Sequence, residues 1–358
     1  MLRGKVAAAV ASVLVLAMGG GVAGSAAASD QCTVEHGQLL IEDARYDRAI
    51  REFTCVIEDD PTGVEGYRGR IEAELLLGRY SDAVRDYARV TAFVEPVHPD
   101  AKALILGGYA ARLAADPHDV PALTGASFAR WWYFDYTNAM HVLDDLLDVR
   151  PNDVYGNLFR GSSRLLQGVT KLKGVADLDR AIELAPKSAD VRYVVSDAYT
   201  YGLPDPQRAF AEATLALNGG LDTPRIHAIL AVAYHAFGNE VAAATETKRH
   251  IDLVTTDLRA APTLAGGSLT LGLVPGRTYE VPLPVVAGQQ VSIATSSHDF
   301  YDTILVLLAP DGTPVLGADD TKAYFAGFTW VPGATGTYRV RVTSFESVNT
   351  GAMVVTRD

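Results

Sequence analysis

Eight histidines and two cysteines are the side chains best suited to metal or redox chemistry in this sequence, and their spacing suits neither. No histidine stands in H-E-x-x-H, and neither a G-x-x-x-x-G-K-[ST] phosphate loop nor a G-x-S-x-G nucleophile elbow occurs. Gly125-Ala126-Ser127-Phe128-Ala129 comes closest to an elbow. It lacks the closing glycine and falls in a helical pattern rather than a strand-to-helix turn, so Ser127 reads as a packing residue. His227 and His235 stand eight apart, two helical turns rather than one, which is too far to chelate a shared metal. Asp299, Asp302, Asp319 and Asp320 are hard oxygen ligands that calcium could take, but turns and strand ends account for acidic residues more simply. No catalytic residue, cofactor or metal is assigned, and an enzyme is not expected.

The elements that would position any site follow from length and composition. With 358 residues, 48% of them apolar, the chain can pack two or three domains and is not a disordered polymer. A formal charge of -12 repels a phosphate backbone, so nucleic acid is not an expected partner. At the start, Arg3 and Lys5 precede an apolar run from Val6 to Val22 broken only by Ser12 and Gly19 to Gly21, and Ala26 and Ala28 supply an A-x-A cleavage pattern. Residues 1–28 therefore read as a secretory signal peptide. A membrane anchor would favour a longer stretch of larger side chains, and the polar Ser29-Asp30-Gln31 before Cys32 does not suit lipid attachment. The mature chain is expected to be secreted or extracytoplasmic, with no membrane span. Cys32 and Cys55, neither in a C-x-x-C pair, predict one disulfide in an oxidising compartment.

A repeat governs the middle of the chain. Tyr46-x-x-Ala49 returns 34 residues later as Tyr80-x-x-Ala83, and again as Tyr136-x-x-Ala139. Further units are outlined by Leu158, Gly161, Leu178 and Ala181, by Tyr199, Ala209 and Ala213, and by Tyr234, Gly238 and Ala243. Apolar stripes such as Ala49-Ile50-Phe53-Val56-Ile57 cannot be buried by one helix alone. Small residues at Ala49, Ala83, Ala139 and Ala243 let a partner helix approach, and Pro61, Pro151 and Pro186 end each second helix. The pattern resembles the tetratricopeptide repeat over 29–258, in about six hairpins with a degenerate unit near 98–119, where Ala101 to Ala115 reads as a single helix. In the first hairpin Cys32 and Cys55 fall at neighbouring ends, so their bridge would staple a terminal repeat that has only one neighbour.

Past Leu258 the small, Pro- and Gly-bearing stretch 259–266 reads as a linker, and the period then becomes two. Ser268 to Leu273, Thr278 to Leu283, Gln290 to Ile293 and Tyr338 to Val342 alternate apolar with polar. Thr303 to Leu308 is continuously apolar and suits an inner strand. About eight short strands in 267–358 predict a β-sandwich of jelly-roll type. Asp302 to Leu308, Pro310-Asp311-Gly312, Asp319-Asp320 and Gly336 to Val340 resemble the bacterial pre-peptidase C-terminal domain. That resemblance implies an accessory module without activity of its own.

The fold class expected is thus a multidomain chain, an all-α helical-hairpin superhelix followed by an all-β sandwich. Its most informative local feature is aromatic. The hairpin resemblance places Phe128, Trp131 and Trp132, with Tyr193 and Tyr201 of a later unit, on the concave wall, where rigid rings bind a protein or peptide at little entropic cost. Core packing competes with that reading, because five adjacent aromatics from Phe128 to Phe134 cannot all face one way. The expectation is a non-enzymatic bacterial scaffold for a protein or peptide. The alternative makes the sandwich the binding module, with a cell-surface glycan as its partner.

Overall fold

The molecule is described by a computed structural model over residues 32–61, 63–89, 101–297, 302–318, 325–345 and 351–358. The segment read as a signal peptide, 1–28, lies outside the described residues, as do Asp299, Asp319 and Asp320. Among the described residues no helix is long and apolar enough to cross a membrane.

Among the described residues, six helical hairpins and one helix outside them occupy the first part of the chain. The hairpins are α1 (Val34–Glu42) with α2 (Tyr46–Asp59), α3 (Val64–Leu77) with α4 (Tyr80–Tyr87), α6 (Val120–Trp132) with α7 (Tyr136–Val149), α8 (Val154–Leu166) with α9 (Lys171–Leu184), α10 (Ala189–Asp197) with α11 (Pro206–Asn218), and α12 (Pro224–Ala236) with α13 (Glu240–Val254). The helix outside the hairpins is α5 (Ala101–Ala115), at the place where the repeat pattern fails. Between α10 and α11 the chain makes one π-helical turn, Ala198–Gly202. Each first helix from α6 onward opens on a side-chain cap: Asp119 accepts from the Ala122 N–H, Asp153 from Gly156, Ser188 from Val191 and Thr223 from Ile226. The small residues of the repeat are all buried, with Ala49, Ala83 and Ala139 fully so.

In four hairpins the two helices are joined through one residue in left-handed backbone, whereas the fourth hairpin, α8 with α9, uses two, Gly168 (φ 68°) and Thr170 (φ 45°). Gly78 (φ 74°) and Gly238 (φ 72°) hold this place at no steric cost, whereas Ala44 (φ 55°) and Phe134 (φ 57°) hold it in the first and third hairpins. The Cys32–Cys55 bridge is present, with Cα atoms 5.8 Å apart, and ties the start of α1 to α2.

The sandwich has two sheets. One is ordered β1-β3-β8-β5-β6, from β1 (Asp257–Ala260), β3 (Arg277–Val285), β8 (Gly336–Ser344), β5 (Thr303–Leu308) and β6 (Pro314–Ala318). The other is β2-β9-β4-β7, from β2 (Gly267–Leu273), β9 (Gly351–Arg357), β4 (Val291–Ser297) and β7 (Gly327–Trp330). The boundary differs from the expected linker at 259–266. Arg259 and Ala260 belong to β1, which pairs in parallel with β3, opposite Tyr279 and Glu280. Beyond them the Ala261 and Leu264 N–H groups still donate to the Glu280 and Pro282 carbonyls, both at 2.9 Å, and Leu264 is buried. These backbone bonds fasten to the sheet edge a segment whose composition resembles a linker.

The continuous apolar run of β5 has a clear cause. Its two faces are buried against different partners: Leu305 and Leu307 enter the sandwich core, whereas Ile304, Val306 and Leu308 pack with Ala228 of α12, Ala244 and Ile251 of α13, and Phe345. The sheet therefore closes the open end of the helical stack. Two substitutions test the hairpin turns. Ala44→Gly should raise stability by about 1 kcal/mol and Gly238→Ala lower it by a similar amount, read from urea unfolding midpoints at constant slope.

Candidate functional site

First helices α6, α8, α10 and α12 present their side chains to the inner side of the stack, and the aromatic residues gather there. The Phe128 ring stacks on Phe159 at 4.7 Å, and Trp131 meets Phe159 at 5.1 Å. The Trp131 indole N–H donates to Ser162 Oγ at 3.1 Å. Tyr193 lies on α10, and Tyr201 follows on the π-helical turn.

A side chain from an unexpected element completes the cluster. Tyr87, the last residue of α4, stands edge-on to Trp131 at 5.1 Å and to Trp132 at 5.2 Å, and tilted against Tyr193 at 5.9 Å. The Arg225 guanidinium of α12 lies 5.3 Å from the centre of the same Tyr87 ring. One residue can touch the first helices of three hairpins only from the face they share, so α4 lies across the inner side. Its other contacts agree. Asp190 of α10, itself 2% exposed, accepts from Ser81 Oγ at 3.2 Å and from the Tyr155 hydroxyl at 2.7 Å, with Arg85 at 3.8 Å. The Tyr80 hydroxyl donates to the Pro121 carbonyl at the start of α6 at 2.6 Å.

The accessible aromatic wall expected from the sequence is thereby corrected. Phe128 and Tyr193 are fully buried, and Trp131 and Trp132 are 3% and 6% exposed. Phe128 belongs to the core against Phe159, and α4 covers Trp131, Trp132 and Tyr193. Tyr201, 51% exposed, remains on the surface near enough to Arg225 to act on its charge. Tyr87, Asp190, Asp197 and Arg225 were not singled out from the sequence, because Tyr87 keeps the spacing of an ordinary second helix.

The floor of the site is charged. Asp197 and Arg225 form a buried pair at 3.3 Å. Burial pushes the Asp197 carboxyl up, against the pull of the Arg225 guanidinium. Burial likewise raises the Tyr87 and Tyr193 hydroxyls, so both stay protonated. On its outer side α4 is held by Arg70 of α3, which grips Asp86 through two hydrogen bonds of 2.6 and 2.8 Å and also donates to Thr54 Oγ1 at 3.0 Å. Beside them Glu74 is buried, and its Oε2 has no hydrogen-bond partner among the described residues. Burial, reinforced by the Asp86 carboxylate, pushes the Glu74 carboxyl up to about 9.

Among the described residues no group of three or more His, Cys, Asp or Glu could hold a metal ion. His227 and His235 do not converge: His227 bridges Glu246 at 2.5 Å and Asp222 at 2.8 Å, whereas His235 is exposed and meets Glu240. A separate cavity of about 580 Å³ lies between α12–α13 and the sheets, with apolar walls that include Val232, Ile304, Leu316 and Phe328.

The tetratricopeptide repeat family model matches residues 34–94. No curated protein matches the chain. Similar solved structures include a tetratricopeptide repeat protein from Parabacteroides merdae, 15% identical over 62% of this chain and 78% of that one, with a TM-score of 0.37. Another is TTC0263, a thermophilic tetratricopeptide repeat protein of Thermus thermophilus, 19% identical over 56% of this chain and 97% of that one, with a TM-score of 0.34. The pre-peptidase C-terminal domain of a Bacillus anthracis collagenase is 10% identical over 28% of this chain and 95% of its own length, with a TM-score of 0.25. The tetratricopeptide match takes in α4, whose sequence is thus that of a repeat helix although it lies across the inner face.

The attachment of α4 has a pH signature. Glu74 ionises near its ordinary value of 4.5 in the unfolded chain and about 9 in the folded one, so the folded state holds the extra proton between those limits and loses stability as pH rises through them. Glu74→Gln removes this slope. Urea unfolding from about pH 5 to pH 9 should find the variant gaining on the parent by roughly 2 kcal/mol or more across the range.

Proposed function

We propose that this protein is a non-enzymatic scaffold, exported from the cytoplasm, that binds a segment of another protein or a peptide on the inner face of its helical hairpins. The observation that carries this reading is α4 itself. A helix seated against Trp131, Trp132, Tyr193 and Asp190 marks this face as one whose shape and chemistry accept a helical segment. Buried aromatic rings beside a charged pair supply the anchors that peptide interfaces concentrate their affinity on. Tetratricopeptide repeats are protein-binding modules, which agrees with the match over residues 34–94.

Export is supported by the positively charged start at Arg3 and Lys5, the apolar run after it, the A-x-A pattern at Ala26 and Ala28, and a disulfide that needs an oxidising compartment to persist. In this reading the β-sandwich is an accessory that closes the last hairpin through Ile304, Val306 and Leu308. The glycan-binding alternative has less support, since the sheet carrying those residues is already engaged with α13.

A photo-crosslinking side chain placed at Tyr201, beside the inner face, and another at Val331, exposed on the sandwich, separate the two readings. The scaffold reading expects protein adducts from Tyr201 and none from Val331 when the full mature chain is exposed to its extracytoplasmic milieu. Adducts from Val331 alone would move the binding role to the sandwich.

A further inference from the structure

In other hairpins the second helix packs against its own first helix and against the first helix of the next hairpin, as α2 does against α1 and α3, α7 against α6 and α8, and α11 against α10 and α12. Helix α4 departs from this arrangement, and α5 takes the place it leaves. The Tyr109 hydroxyl of α5 donates to the Leu75 carbonyl of α3, and its ring lies against Gly125 of α6, where a side chain as small as a methyl would collide with it. Thus α5 fills the slot between α3 and α6 that repeat packing reserves for α4. The stack is closed without α4 there, and the inner face is occupied by it.

The surface under α4 is not the apolar floor that stability alone would select. The Asp197–Arg225 pair is buried, and Asp190 is a buried carboxylate beside the half-exposed Arg85, where apolar side chains of similar volume would serve the core at least as well. Charges kept beneath a short helix are better explained by recognition, with Tyr87 as the ring they receive, Ser81 as a donor to Asp190 and Arg85 as its more distant cation.

We propose that α4 is a displaceable internal occupant of the binding groove, and that the partner displacing it is a helix bearing the same signature, a cationic residue two positions before an aromatic one. This rests on the scaffold reading above and names its ligand. The cation meets Asp190, and the aromatic ring enters the pocket of Trp131, Trp132, Tyr193 and Arg225. Partner binding is consequently weakened in the resting chain by the fraction of molecules whose groove is filled.

Two measurements on the full mature chain test this. Hydrogen exchange of the parent protein should find the amides of α4 exchanging at least 100-fold faster than those of α10, because α4 opens locally while the stack stays folded. Equal rates would overturn the proposal. A fluorescent synthetic peptide of residues 79–89 should bind the Tyr87→Ala protein at least tenfold more tightly than the parent, and the same peptide carrying Tyr87→Ala should not bind. Equal affinity for the two proteins, or binding of the altered peptide, would also overturn it. Should Tyr87→Ala fail to fold, exchange in the parent decides alone. Crosslinks at Tyr201 that form fully while α4 remains protected would leave the scaffold standing and remove the occupant. Their absence from a chain whose α4 is open would remove the scaffold reading instead.

Discussion

A helix pair with an apolar stripe can hide it only against another pair, and this requirement organises the molecule. Each hairpin offers two such surfaces, so a finite stack leaves one unsatisfied at each end. The ends are treated differently. At the beginning of the described residues, the Cys32–Cys55 bridge constrains the first hairpin covalently. At the other end, Ala228, Ala244 and Ile251 would face water were it not for Ile304, Val306 and Leu308 of the sheet. The sandwich is in this sense the last layer of the helical domain. His250 of α13 belongs to the same junction: it stacks on Phe345 at 4.6 Å and is buried enough that its pKa falls to about 4, leaving it neutral between the two domains.

Much of this was legible in the sequence because it depends on local periodicity. The return of Tyr-x-x-Ala, 34 residues apart in the first two units, marked α2, α4 and α7, and the failure of that pattern after Pro99 marked α5 as a single helix over the residues it occupies. The disulfide followed from two cysteines in a chain read as exported, and the hairpin resemblance brought their ends together. The run Thr303 to Leu308 announced a doubly covered strand, although its second cover, α13, could not be read from the strand itself.

What escaped was long-range. Nothing in the spacing of Tyr80, Ala83 and Tyr87 distinguishes a helix that packs behind its partner from one that crosses the inner face, because both bury the same stripe. The open wall expected of the aromatic residues is therefore not the environment they occupy. Trp131, Trp132 and Tyr193 do converge there, yet beneath Tyr87 rather than open to solvent. The boundary at 259–266 misled for a similar reason: its small residues suit a free connection, and only hydrogen bonds to β3, more than a dozen residues onward, hold it in the sheet.

The direct passage from α13 into β1 has a practical and mechanical consequence. Val254 ends the last helix and Asp257 begins a strand paired to Arg277, so the two halves share no slack and cannot swing about a hinge. A cut made anywhere in this junction would strip an edge from the sandwich and bare a greasy flank on the helical rod. Tension applied to the carboxyl half would accordingly reach the superhelix through a rigid coupling, as in a shaft keyed to its wheel.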